Sequence, residues 1–392
     1  MDHEFVKELV EVTKKNDGGT VLHIGDKAEV VVLTLERYQQ LVAKKVEEDT
    51  KAVQNLSISL SQFQSRRLEV LVVGGAGYIG GHVVRELVDR GYKVFVIDNL
   101  STGKREHVPD NVDFFEVDIL DFEKLKQIFN SHKFNAVIHL AAKLEVEESV
   151  SQPVEYAEVN VIGTWNLIKI MKESGVGKLI FSSTAAVYGD GYDIPISETQ
   201  LPKPNNPYGY SKLIAEKLIH YANRAWGLEG TIFRYFNVAG AHPSGLIGDT
   251  HLRSHLIPIV LEVALGRQTI LKVNGNDYET FDGTCVRDYV SVLDIARAHV
   301  EAILHESRDE EVSVFNLGTG KGSSVMEVIA SAAEVISRMI PMEVGPRRQG
   351  DAAMTVADCS LIKKEWGFET KHSELSEIIK SSWNQMQKLN LS

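Results

Sequence analysis

The chain has 392 residues, 43% hydrophobic and 24% charged, an ordinary globular composition whose length suggests two or three packing units. Its net charge of -12 disfavours nonspecific attraction to nucleic acid or anionic membrane and leaves room for a local basic pocket that takes a small anion. Two cysteines, Cys285 and Cys359, build no disulfide framework and match no zinc spacing; no apolar signal core opens the chain and no apolar run reaches the roughly 18 residues of a membrane span, so a reduced, cytoplasmic setting is expected.

Residues 1–50 read as a small α+β appendage. Residues 21–24 and 28–35 form two short strand patterns around the turn Gly25-Asp26-Lys27, and residues 36–48 form a helix pattern with Tyr38, Leu41, Val42 and Val46 at helical spacing. Residues 51–66 are a polar linker rich in Ser and Gln. From residue 68 the pattern changes. Short β-branched runs at 68–73, 93–98, 136–140, 179–183 and 231–235 alternate with helix patterns such as 83–90 and 161–173. That alternation predicts the α/β class, a doubly wound parallel sheet of Rossmann type over residues 67–236. Residues 237–392 are less regular and read mainly as a smaller substrate-binding region with segments returning to the sheet.

Gly74-Gly75-Ala76-Gly77-Tyr78-Ile79-Gly80 follows the first strand and opens a helix. Glycines at 74, 77 and 80 allow a tight turn and let a pyrophosphate approach the backbone at the helix N-terminus. Asp98 ends the second strand, where an acid can bind ribose hydroxyls and repel a 2′-phosphate, which favours NAD over NADP. Asp118 follows a further strand-like run and is a candidate for the adenine end. Read without a ligand, the same residues are a glycine turn with a capping Asp.

Tyr208 and Lys212 stand at i and i+4, on one face of a helix. A free phenol is a poor base at neutral pH, and a nearby ammonium together with the positive nicotinamide ring favours the phenolate. Thr184 closes the strand that precedes this helix, and ligands of such sheets bind beyond the carboxyl ends of strands. The plain alternatives are a surface helix pair and a strand-terminal cap.

Together these stretches resemble the extended short-chain dehydrogenase/reductase family, and within it the UDP-glucose 4-epimerases. The resemblance covers roughly residues 68–388 and continues through Asp98-Asn99-Leu100, Val137-Ile138-His139-Leu140-Ala141-Ala142, Asn206-Pro207-Tyr208, Arg234-Tyr235-Phe236-Asn237, Arg287-Asp288-Tyr289 and Arg347-Arg348-Gln349-Gly350-Asp351. It implies NAD-dependent 4-epimerisation of a UDP-hexose, UDP-glucose and UDP-galactose, through a 4-keto intermediate, by a homodimer. It implies Tyr208 as base, Lys212 as its modulator and Thr184 as hydroxyl partner. Around NAD it places Gly74, Gly77, Tyr78, Ile79 and Gly80, then Asp98, Asn99, Asp118 and Ile119. Leu140, Ala141, Ala142, Lys143 and Phe236 complete that side, with Lys143 displaced by one residue from the family's usual lysine. Around the UDP-sugar it places Asn237, His255, Leu256, Arg287, Arg348 and Asp351, beside Thr184 and Tyr208; a diphosphate suits planar, permanently charged arginines. The dimer is expected through the helices around 149–172 and 211–224.

Thr355 sits where a bulky residue restricts the family's sugar pocket, so UDP-GlcNAc is an alternative substrate, as are UDP-glucuronate and UDP-pentoses. A 4,6-dehydratase is disfavoured, because Ala185-Ala186 follow Thr184 where dehydratases carry Asp-Glu. His251 and His255 have metal-ligand spacing with no third ligand, so no metal is expected. Residues 1–66 faintly resemble small bacterial antitoxins that dimerise on DNA. With nine Lys/Arg against eleven Asp/Glu, the segment makes a poor footprint for nucleic acid, and a dimerising or inert appendage is preferred.

Overall fold

A computed structural model describes residues 19–23, 29–33, 68–249, 254–305, 311–348 and 351–391. The chain divides into two compact units, Met1–Ser65 and Arg66–Ser392. In the first, Gly19–His23 pairs antiparallel with Glu29–Leu33, Val21 opposite Val31. The predicted hairpin is present, with its first strand starting two residues before the expected position 21. The turn, the helix predicted over 36–48 and the linker 51–66 lie outside the described residues.

The second unit is built on seven parallel strands: β1 (Glu69–Val73), β2 (Lys93–Asp98), β3 (Asp113–Glu116), β4 (Ala136–His139), β5 (Lys178–Thr184), β6 (Glu229–Tyr235) and β7 (Ser313–Leu317). Their order across the sheet is β7-β6-β5-β4-β1-β2-β3. The chain runs outward from β1 through β2 and β3, then returns to β1's other side as β4. The order therefore reverses between β1 and β4, the place where open α/β sheets leave a crevice beyond the strand ends.

The strands read as continuous apolar runs because both faces are covered. Val70 and Val72 join one core cluster, with Val83, Val84 and Leu87 of helix α1 (Tyr78–Asp89). Leu71 and Val73 join the other, with Leu125 of α2 (Phe122–Ser131), Leu167 and Met171 of α3 (Thr164–Ser174), and Ile219 of α4 (Pro207–Trp226). A fifth helix, α5 (Val292–Leu304), covers the first face beside α1.

Two predicted helices differ in extent. The one expected over 83–90 begins five residues earlier, because the glycines at 80 and 81 belong to its first turn. The one expected over 161–173 is split into a π-helical segment, Glu158–Gly163, and α3. A Cβ at Gly163 would lie 2.3 Å from Ile119 Cδ1, so the segment packs directly on the loop after β3.

Beyond β6 a third core gathers Ile257, Val260 and Leu261 of the Leu256–Ala264 helix with Val328, Ile378 and Ile379. Short strand pairs, separate from the seven-stranded sheet, order this region. Asn237–Ala239 pairs with Tyr289–Ser291, and Val286–Arg287 pairs with Met354–Thr355.

Under the end of β5 lies a buried ion pair. Arg234 of β6 donates through Nη2 and Nε to the Glu216 carboxylate of α4, at 2.7 and 3.1 Å. Ser183 Oγ donates to the same carboxylate, and Arg234 Nη1 reaches the Tyr188 hydroxyl. Both charges are almost fully enclosed, so removing one strands the other in low dielectric. Arg234→Met is expected to lower stability by about 3–5 kcal/mol in equilibrium denaturation. A loss under about 1 kcal/mol would show that the pair is not the lock described.

Candidate active site

The glycine turn is shaped by contacts that only a missing side chain permits. Gly74 has φ +88°, and a Cβ there would lie 2.4 Å from the Ala141 nitrogen at the end of β4. A Cβ on Gly80 would lie 2.0 Å from the Gly74 carbonyl oxygen. Gly77 caps α1 with no side-chain bond and no acid in the first turn. The helix N-terminus therefore offers first-turn N–H groups that no cap side chain takes, of the kind that bind a phosphate. The residues present fit a dinucleotide whose pyrophosphate rests on that turn.

Asp98 is buried, and its Oδ2 accepts from Ala76 N at 2.9 Å while Oδ1 accepts from Leu100 N at 2.8 Å. Burial pushes this carboxyl upward, and the two amides and the neighbouring His107 pull it back. Asp98 therefore ties the end of β2 to the glycine turn. Asn99 Nδ2 donates to Asp118 Oδ2 at 2.8 Å, so two residues from different strand ends meet at one rim. Asp118 also accepts from Leu120 N, and Ile119 is buried beneath it.

After β4, Leu140 and Ala141 both donate to the Val73 carbonyl, which holds them beside the turn. The Lys143 amide donates to Asn160 Oδ1 at 2.8 Å, and Asn160 Nδ2 bridges to Ser211 Oγ of α4 at 2.9 Å. Asn160 is the buried polar residue of the π-helical segment and links the loop after β4 to the helix carrying Tyr208. Lys143 Nζ is engaged by Glu148 at 3.3 Å and Gln152 at 3.2 Å.

Helix α4 begins with Asn206, whose side chain accepts from Gly209 N, and with Pro207 in its first turn. This start brings Tyr208 over the end of β5, where Thr184 hydrogen bonds its phenol. One turn on, Lys212 is buried and donates from Nζ to the Ser182 carbonyl at 2.8 Å. Burial pushes the Tyr208 phenol up to about 12; the Thr184 hydroxyl opposes that, and the Glu145 carboxylate adds to it. Burial lowers Lys212 to about 7, and Glu216 one turn further along opposes that fall. In the chain alone, burial, Thr184 and Glu145 bear on the acidity of the phenol, while the Lys212 ammonium, one turn along, is oriented by the Ser182 carbonyl.

Phe236 is buried at the end of β6, and its amide donates to the Leu317 carbonyl of β7. Asn237 is exposed at the start of the following strand, beside Asp288. Arg287 donates to the Ala352 carbonyl at 2.8 Å and lies 3.6 Å from Asp351, so these two sequence candidates face each other. Arg348 pairs instead with Glu147, at 3.1 Å. His255 caps the Leu256–Ala264 helix and contacts Asp249 at 2.6 Å. His251 lies outside the described residues, and no group of three potential metal ligands occurs among those described.

Two organising residues escape the sequence reading. Asp288 is fully buried and accepts from Thr319 N at 2.8 Å, Gly320 N at 3.0 Å and Ala357 N at 3.2 Å, which holds the loop after β7 against the strand of Arg287. The second is Glu216, the counter-charge behind Lys212.

With the geometry in hand, the comparisons are specific. The profile of the NAD dependent epimerase/dehydratase family matches residues 70–318. The UDP-glucose 4-epimerase of Halalkalibacterium halodurans is 47% identical over 318 residues, covering 81% of this chain and 95% of that protein. The crystal structure of the Brucella ovis UDP-glucose 4-epimerase in complex with NAD is 42% identical, with a TM-score of 0.77 over 81% of this chain and 98% of that one. That of the Bifidobacterium longum enzyme in complex with NAD+ and UDP is 38% identical, with a TM-score of 0.76 over 82% and 98%. The chain belongs to the NAD dependent epimerase/dehydratase family and, within it, to the UDP-glucose 4-epimerases.

Proposed function

We propose that this chain interconverts UDP-glucose and UDP-galactose at C4, with Tyr208 as the base, Thr184 as its hydroxyl partner and Lys212 as the charge beside it. The observation that carries the reading is the meeting of these three side chains at one strand end, on the crevice side of the glycine turn. The turn at Gly74, Gly77 and Gly80, Asp98 with Asn99, and Ala141 with Phe236 would hold the dinucleotide, which when bound would supply the hydride acceptor for oxidation at C4 and the hydride donor for the reverse. The chain's own residues do the rest. Tyr208 takes the proton of the 4-hydroxyl and gives it back, and Thr184 orients the phenol. Arg287 and Arg348 bind the diphosphate, because bidentate, permanently charged donors suit it. Placing the binding energy on the UDP leaves the sugar free to turn between the two half-reactions.

The same base and cofactor serve UDP-GlcNAc, UDP-glucuronate or a UDP-pentose, and the short Thr355 side chain, paired in register with Arg287, favours room for an N-acetyl group. Turnover of each sugar, assayed in turn, ranks them.

The chain's association reading is a homodimer. Val150, Val154, Ile162 and Trp165 on the helices beside α4, with Ile214 and Tyr221 of α4 itself, are exposed, an apolar surface that a second copy would cover. No helix among the described residues is long and apolar enough to cross a membrane.

Four outcomes test the proposal. Tyr208→Phe should abolish conversion of UDP-galactose to UDP-glucose, measured without added reductant, while the purified protein retains NAD; full turnover by that variant would refute the base. Because a phenol pushed upward is deprotonated in a fraction that grows with pH, kcat should climb across the acid side of its profile. Glu145→Gln removes a carboxylate that raises the phenol, so the climb should begin at lower pH; a profile unmoved or displaced to higher pH contradicts the charge assignment. Ile214→Glu should convert the dimer to monomer in light scattering, and a monomeric parent protein would dispose of the dimer reading.

A further inference from the structure

The acidic loop after β4 reaches across to the substrate side at two points. Glu145 Oε1 accepts from Ser254 Oγ at 3.3 Å, next to His255. Glu147 Oε2 accepts from Arg348 Nη2 at 3.1 Å, across 201 positions of sequence. Glu148 is turned inward onto Lys143 and the Tyr156 hydroxyl, so it does not share the task. The loop is built by helix Val146–Ser151, whose Ser149 is buried, so Glu147 stands on a fixed base even though its side chain is 87% exposed.

The Arg348 segment is fastened from its other end. Arg287 donates to the Ala352 carbonyl, and the Asp351 amide donates to the Arg348 carbonyl at 3.2 Å. The Arg348 carbonyl is therefore held by the Asp351 amide, and its guanidinium by Glu147.

We propose that Glu147 is a positioning residue for Arg348, an internal carboxylate that holds the guanidinium across the cleft and that the diphosphate of the substrate must displace. This rests on the reading that Arg348 binds the diphosphate. Glu147 occupies Arg348 Nη2, and a diphosphate oxygen that takes a bidentate grip including that nitrogen competes for it. The contact pre-orients Arg348 toward the cleft while weakening every ligand that needs it. An exposed pair of this kind is weak, so the competition changes affinity by a small factor and fades with salt.

The test is UDP binding to the NAD-loaded full chain, by calorimetry, with uridine as the ligand that lacks phosphate. Glu147→Gln should bind UDP about two- to fivefold more tightly at low salt, with the gain shrinking as salt rises. The same variant should lower KM for UDP-galactose by a similar factor with kcat unchanged, and should leave uridine binding as it was. Arg348→Met should weaken UDP binding, and Glu147→Gln should then add nothing in the Arg348→Met background. If Arg348→Met weakens UDP while Glu147→Gln leaves it unchanged or weaker, the competition is refuted. If Arg348→Met leaves UDP affinity intact, the diphosphate assignment of Arg348 fails and the proposal falls with it. Both side chains are solvent-facing, so misfolding does not confound either variant.

Discussion

The bond from the Lys212 ammonium to the Ser182 carbonyl is the seam on which the site depends. It joins helix α4 to the end of β5 just past Phe181, where pairing with β4 has ended while pairing with β6 runs on to Thr184. Residues 182, 183 and 184 then contribute in turn. The first gives its carbonyl to the lysine, the second its hydroxyl to Glu216, and the third its hydroxyl to Tyr208. Because Glu216 is itself clamped by Arg234 from β6, the same seam fixes the strand that leads to Phe236 and Asn237. Tyr208, Phe236 and Asn237 are positioned by one set of buried polar contacts.

That arrangement places charge where it is costly and therefore informative. Lys212, Glu216 and Arg234 are all enclosed, and a buried charge persists only when partners satisfy it. Lys212 sits near its tipping point, lowered by burial and supported by Glu216. Tyr208 is held on the protonated side by burial and Glu145. In the proposed reaction a positive ring beside the phenol would act against both effects.

Much of this was legible in the sequence, and the limits have physical causes. Patterns within one element read well. The strand–turn–helix of the glycine loop, the alternation of apolar runs, and the Tyr–Lys pair one turn apart all depend on local spacing. The family resemblance rests on those same stretches. Pairings between distant segments did not read. Nothing local links Glu216 to Arg234, Asn160 to Ser211, or Glu147 to Arg348, because a polar residue's partner is chosen by topology. The i,i+4 spacing of Tyr208 and Lys212 gives proximity along a helix and says nothing of which carbonyl orients the ammonium, here that of Ser182. Boundaries slipped where glycine entered a helix at position 80 and where the chain opened into a π turn around Asn160.

The central claim is that the Tyr208 oxygen faces the carbon that inverts. A crystal structure of the NAD-loaded protein with a UDP-hexose tests it most directly. The account predicts the Tyr208 hydroxyl within about 2.6–3.2 Å of the sugar's 4-oxygen, with Thr184 still bonded to the phenol. A 4-oxygen held by another side chain, with Tyr208 turned away from the sugar, would contradict it.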